Sequence, residues 1–285
     1  MNYKLTISYD GTRFAGWQKQ PAKPSRETAQ GRLEAVAAKL ARTCAAGTAA
    51  AGGPEGRTGL PQGGSAEPCL PEPAACGAEG AAATAVNGAG RTDAGVHALG
   101  QVANVNIPGD MPPEEVRKYF NDYLPESIRI EAATEADERF HARLCCIGKT
   151  YAYHVTETEK PDVFRRNYTY FYGKKLDLEK MRAAARRLQG VHDFAGFATK
   201  APNKKSTCRR LESAEITEDG GEIVIRFTGD GFLYNQVRIM TGTLLQIGSG
   251  ELDADIIEEI FKSGDRQKAG FTAPAKGLFL EKVYY

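Results

Sequence analysis

From Tyr3 to Tyr9 apolar and polar positions alternate, with Leu5 and Ile7 on one face and Thr6 and Ser8 on the other. That period of two predicts a half-buried strand. Thr28 stands where a cap would open a helix to about Ala41, because Leu33, Val36, Ala37 and Leu40 follow the i, i+3, i+4, i+7 spacing of one helical face. Gln101–Ile107 reads as a strand. Asp110, Pro112, Pro113 and Glu114 then open a helix to about Asp122, whose apolar side carries Val116, Tyr119 and Phe120. Ile128–Ala133 closes this half as a further strand.

The second half repeats the rhythm. Cys145–Thr156 and Asn167–Tyr172 read as strands, and Asp177 caps a helix that turns Met181, Ala184, Ala185 and Leu188 inward. Arg209–Thr217 and Glu222–Thr228 form a hairpin over the turn Glu218-Asp-Gly-Gly221. Helices over about Tyr234–Gly248 and Ala254–Ser263 precede a last strand, Leu278–Tyr284. β-α-β-β-α-β runs in both halves predict an α+β fold of two ferredoxin-like units. The expected division is 1–135 and 136–285, with antiparallel sheets flanking a central cleft.

Between the halves' elements, Thr43 to Val86 stands apart: 13 of its 44 residues are Ala, 9 Gly and 5 Pro. Such a segment buries little apolar surface against the entropy of ordering it, and recurring Gly and Pro oppose internal helix. It is expected to be a disordered surface insertion. Its net charge of −3 has the wrong sign for gripping nucleic acid.

Charge sharpens the picture. The chain carries 37 Lys+Arg against 36 Asp+Glu, yet Arg139–Leu211 holds 17 basic and 6 acidic residues, leaving 20 basic and 30 acidic elsewhere. A concentration of cations is either a solvated surface or the footprint of a polyanion. Six cysteines in 285 residues form no C-x-x-C and four histidines are scattered, so neither a disulfide framework nor a metal site is expected. No apolar run is long enough for a membrane span, and the first ten residues lack a secretory apolar core, so a cytoplasmic location is the default expectation.

The chemistry concentrates at Asn87-Gly-Ala-Gly-Arg-Thr-Asp-Ala-Gly-Val-His-Ala-Leu-Gly-Gln101. Glycine at this density fits a tight turn or the close approach of a ligand's backbone. Asp93 sits mid-turn with Arg91 two residues before it, and a nearby guanidinium keeps a carboxylate ionised for work as a nucleophile or electrostatic stabiliser. A self-satisfied surface turn is the alternative. A dinucleotide fingerprint fails for want of the third glycine and of a preceding strand.

Asn87–Gln101 resembles the signature of the TruA family of tRNA pseudouridine synthases around its catalytic aspartate. Seven further blocks are similar to that family, in the same order: Tyr9–Gln20, Thr28–Glu34, Phe140–Arg143, Lys149–Tyr153, Gly190–Phe194, Gly231–Arg238 and Thr272–Leu280. The 43–86 segment departs from the family pattern, leaving only Ala83–Val86 to supply the strand before Asp93. Ala29 stands where Val is more frequent, and Gln236 where Met is usual.

The resemblance implies conversion of uridine to pseudouridine in the anticodon stem-loop of tRNA, at positions 38–40, with no cofactor and no metal. It implies Asp93 as nucleophile, Arg91 as the side chain filling the space of the flipped base, and Tyr151 as the ring stacked on that base. Only one of Tyr151 and Tyr153 is expected to face the cleft. Arg238 is implied as the partner of Asp93, since an arginine binds a carboxylate bidentately and keeps its charge. Lys204, Lys205, Arg209 and Arg210 are candidate substrate contacts, with Arg139, Arg143, Lys149, Arg165 and Arg166 as further phosphate ligands. A homodimer holding tRNA and no membrane attachment complete the expectation. The alternatives are a non-catalytic RNA-binding protein of the same fold and a small-molecule phosphotransferase. The latter lacks a Walker lysine and an acidic cluster for magnesium.

Overall fold

The computed structural model describes residues 1–20, 26–50, 84–199 and 206–285. In the first half β1 (Asn2–Tyr9) pairs antiparallel with β3 (His97–Asn106) and with β4 (Ile128–Ala136), while β2 (Val86–Gly88) pairs with β3. The alternation along β1 is realised: Tyr3, Leu5 and Ile7 are fully buried, and Lys4, Thr6 and Ser8 are not. α1 (Ala29–Ala50) contributes Leu33, Ala37 and Leu40 to the core, and α2 (Pro113–Tyr123), which packs on β4, contributes Val116 and Phe120.

In the second half β5 (Gly148–Thr156) pairs with β9 (Glu222–Gly229), β9 with β8 (Cys208–Asp219), and β8 with β7 (Gly190–Asp193), all antiparallel. β6 (Tyr170–Phe171) runs parallel to β5. α3 (Leu178–Leu188) begins at Asp177, whose side chain accepts from the Lys180 N–H, and buries the four predicted residues against β8 and α4 (Gln236–Gly248). α5 (Ile256–Ser263) buries Ile257 and Ile260.

The last strand joins the halves. β10 (Leu278–Tyr284) pairs antiparallel with β5 and parallel with β3, the latter through Phe279 opposite His97 and Leu280 opposite Ala98. The described strands therefore form one sheet in the order β4-β1-β3-β10-β5-β9-β8-β7, with β2 and β6 beside it. Instead of separate antiparallel sheets there is one mixed sheet, continuous across the boundary expected near residue 135. No helix among the described residues is long and apolar enough to cross a membrane.

Three local expectations need correction. The helix from Thr28 continues to Ala50, because alanine is the best helix former and a lone Gly47 is tolerated before the pair at 52–53. The strand before Asp93 is Val86–Gly88, not Ala83–Val86, since these residues find partners on Val105–Ala103 of β3. Of Asn167–Tyr172 only Tyr170–Phe171 is extended in the sheet, because Tyr168 and Thr169 fold back to donate to the Arg165 carbonyl. The rest of the 43–86 expectation falls on 51–83, outside the described residues.

Candidate active site

The Asp93 loop lies against Tyr9–Trp17, and two glycines of that block permit it. A Cβ on Gly11 would stand 1.9 Å from the Val96 carbonyl oxygen, and one on Gly16 would stand 2.7 Å from that of Thr92. Gly16 also adopts φ 98°, which disfavours any side chain. Across this contact the Trp17 N–H donates to the Thr92 carbonyl at 3.1 Å, and the Gly95 N–H to that of Phe14 at 3.3 Å. The hydroxyls of Tyr9 and Thr92 lie 2.7 Å apart in buried surroundings.

From the strand side, the buried amide of Gln101 donates to the Gly90 carbonyl at 2.8 Å and accepts from the Gly90 N–H at 3.2 Å. Behind the loop, His97 accepts at Nδ1 from the Gly11 N–H at 3.0 Å and donates from Nε2 to the Asn167 carbonyl at 3.0 Å. Its ring stacks on Phe279, with centroids 4.7 Å apart. The loop is thus clamped at both ends, which holds Asp93 in one geometry.

Asp93 meets Arg238, from the first turn of α4, at 3.5 Å between Oδ2 and Nη1. Arg238 is itself fixed: Nε donates to the Ala273 carbonyl at 2.7 Å and Nη1 to Asn235 Oδ1 at 3.0 Å. Asn235 takes φ 62°, the left-handed region that asparagine tolerates better than other side chains. Burial pushes the Asp93 carboxyl above the usual carboxylate range, and the Arg238 guanidinium pulls in the opposite direction.

Tyr151 on β5 is 8% exposed, and its ring meets that of Phe232 edge-on with centroids 5.3 Å apart. Its hydroxyl lies over Gly90, where an added Cβ would be 3.4 Å away. Burial, with Tyr9 and Asp93 adding, raises the phenol, so it stands beside the carboxylate as a neutral donor. Of Tyr151 and Tyr153 only Tyr151 reaches the Asp93 loop, but strand alternation does not separate them. Residues two apart share a face of a strand. Tyr153 lies further along the same side, fully buried, its hydroxyl donating to the Pro274 carbonyl at 2.8 Å.

Arg91 is exposed and makes no ion pair with Asp93; Arg238 does. Of the proposed phosphate contacts, Lys204 and Lys205 lie outside the described residues. Arg210 is exposed on β8. Arg209 is half-buried, its side chain beside Gly231 and donating to the Ser206 and Cys208 carbonyls. Arg165 is paired with Glu222, so part of the excess positive charge between Arg139 and Leu211 is neutralised within the protein. Other pairs from this stretch to acids outside it are Lys174–Glu251 and Arg187 with Asp255 and Glu258. Gln101, Tyr9, Asn235 and Ala273 were not singled out from sequence. Their only signal was membership of the ordered blocks.

A family model described as tRNA pseudouridine synthase matches residues 5–143 and 184–285. A tRNA pseudouridine synthase A of Limosilactobacillus reuteri is 40% identical over 285 residues, covering 99% of this chain and 96% of that protein. A tRNA pseudouridine synthase A 2 of Bacillus cereus is 37% identical over 284 residues, covering 100% and 99%. A tRNA pseudouridine synthase A of an Exiguobacterium species is 38% identical over 282 residues, covering 99% and 97%. With so much of the chain matched end to end, this protein belongs to the tRNA pseudouridine synthase family.

Proposed function

We propose that Asp93 is the nucleophile with which this enzyme isomerises uridine to pseudouridine in the anticodon stem-loop of tRNA. The carboxylate bonds to ribose C1′ or to the uracil ring; the C1′–N1 bond breaks, the uracil turns, a C1′–C5 bond forms, and the bond to Asp93 breaks to return the free carboxylate. The C5 proton leaves and N1 gains one, so no electrons are exchanged and no group donor is needed. The observation that carries this reading is the single geometry of Asp93. It is half-buried, held at 3.5 Å by Arg238 from the other half of the chain, with the Tyr151 hydroxyl lying over Gly90 of the same loop.

Arg238 keeps the carboxylate ionised against the burial that would protonate it. Tyr151 stacks on the extruded uracil, which contributes roughly 1–3 kcal/mol per base. Arg91, exposed beside the loop, fills the vacated stack; extrusion itself costs a few kcal/mol. Arg209 and Arg210 border the RNA path. Unit 1–135 runs β-α-β-β-α-β, unit 136–285 runs the same way once β6, β7 and α5 are set aside as additions, and the strand orders β4-β1-β3-β2 and β10-β5-β9-β8 support reading both as ferredoxin-like. A cytoplasmic homodimer is the assembly that goes with this reading.

The test is Asp93→Asn in purified protein, assayed by tritium release from C5-labelled uridine in tRNA and by tRNA binding. Release should disappear while binding stays. Turnover within about tenfold of the unsubstituted enzyme would remove Asp93 from the chemistry. Wild-type protein that binds tRNA without releasing tritium would favour the non-catalytic reading.

A further inference from the structure

A recess of about 190 Å³ opens beside the Asp93 loop, its walls including Trp17, Asn87, Gly88, Arg91, His141 and Arg143. Its floor is preformed. The indole of Trp17 lies so close on Gly88 that an added Cβ would fall 2.4 Å from the ring. Beneath it the Gln30 amide donates to the Val86 carbonyl at 3.1 Å and accepts from the Lys19 N–H at 3.0 Å.

The charge in this recess is unbalanced. Among the described residues, the guanidinium groups of Arg91 and Arg143 have neither a carboxylate nor a hydrogen-bond acceptor. They stand close enough to interact: partial burial, with the nearby Arg91 adding, holds Arg143 below the usual arginine range. His141 accepts at Nδ1 from the Arg143 N–H at 3.1 Å, so the proton of the neutral ring sits on Nε2 and makes it a donor. Two like charges kept side by side, with a third donor on the same wall and no counter-charge, are at their lowest energy when an anion lies between them.

We propose that this recess receives a backbone phosphodiester of the RNA at, or immediately next to, the uridine that Asp93 attacks, with Arg143, His141 and the guanidinium edge of Arg91, whose face fills the vacated stack, as its donors. The inference rests on the pseudouridine synthase reading and adds a site to it. Reach sets the position: Arg91 and Asp93 are two residues apart, at most ~7 Å of chain. A phosphate held at Arg91 therefore belongs to the target nucleotide or its neighbour. Chemistry selects phosphate over base: the wall offers cationic forks that match a tetrahedral oxyanion bidentately. Phe140–Arg143 would then serve to bring second-half cations onto a first-half loop.

The experiment uses a synthetic anticodon stem-loop RNA carrying the target uridine, with the phosphate on its 5′ or its 3′ side replaced by a neutral methylphosphonate. Binding is measured against salt for the unsubstituted protein, Arg143→Gln and Arg143→Lys. With the unsubstituted protein, one of the two replacements should weaken binding roughly tenfold, the value of one charge-assisted hydrogen bond. Arg143→Gln should weaken the natural RNA by a similar factor and flatten the salt slope by about 0.7–0.9. It should lose nothing further on the replaced RNA, and Arg143→Lys should keep the slope. Penalties that multiply, or two replacements without effect on the unsubstituted protein, would overturn the assignment. Loss with Arg143→Gln alone would instead place a base in the recess. Failure of the unsubstituted enzyme to form pseudouridine in the natural RNA would sink the functional reading separately, whatever the binding shows.

Discussion

The side-chain amide of Gln101 lies across the backbone of Gly90, donating to its carbonyl at 2.8 Å and accepting from its N–H at 3.2 Å. Both atoms of a short peptide side chain are thereby used to satisfy one backbone unit that no strand partner satisfies. The contact ties β3 to the loop three residues before Asp93, so the rigidity of the sheet is passed to the carboxylate.

Gln101→Ala removes both bonds from a buried site. Each stranded backbone group costs about 1–3 kcal/mol, so denaturant unfolding should show a loss of roughly 2 kcal/mol or more. Turnover should fall as well, because Asp93 loses its anchor. A variant as stable as the parent would show that other partners replace the amide.

Arg238→Gln should move the acid limb of the pH–rate profile to higher pH. Burial already raises the Asp93 carboxyl and Arg238 opposes that effect, so losing the guanidinium lets the pKa climb further. Since the ionised form reacts, activity is lost as pH falls through this pKa, and the loss should begin earlier in the variant. Measuring kcat/KM from pH 4.5 to 9 decides it; an unmoved limb means that another group sets it.

Asp93 should also weaken the fold that displays it. Its folded-state pKa is raised, so the folded state binds the proton more tightly than the unfolded chain does. Stability is then higher at low pH and declines as pH rises from the unfolded value near ~3.9 through the raised one. At neutral pH Asp93→Asn should be at least as stable as the parent in thermal unfolding, with the difference shrinking on acidification. A lower Tm for the variant at pH 7 would mean that the Arg238 contact outweighs desolvation.

His97 gives the opposite slope. Burial lowers its pKa, with Asp10, whose Oδ1 lies 3.2 Å from Nδ1, opposing; Tyr168 stands over the ring and donates to the same Asp10. The neutral ring is the one that accepts from Gly11 and donates to Asn167. Its contribution to stability is therefore complete above the unfolded pKa near ~6.5 and is lost as pH falls below it. Urea midpoints should drop between pH 7.5 and 5.5, and less so in His97→Gln. Equal slopes in the two proteins would assign the effect elsewhere.

What the sequence determined by itself is what depends on neighbours along the chain. The alternation of Tyr3–Tyr9, the Asp177 cap with its four inward residues, the Gly-Gly hairpin between β8 and β9 and the limits of β10 were all legible, because periodicity and capping act over a few residues. The residues around Asp93 were legible too, as a dense run of glycines about one carboxylate and as a family resemblance. Tertiary structure decided the rest. β10 lies between β5 and β3 because a strand with two open edges pairs wherever both faces are covered, a choice that no local pattern records. Val86–Gly88 becomes a strand, though only three residues long, because β3 offers it partners. Arg238 reaches Asp93 across 145 positions; the chemistry of the pair was readable in the side chains, but their meeting depends on the way α4 packs against the Ala273 segment. Gln101 and His97, silent in the sequence except as members of ordered blocks, acquire their roles only there, since a hydrogen bond to a distant backbone leaves no periodic trace.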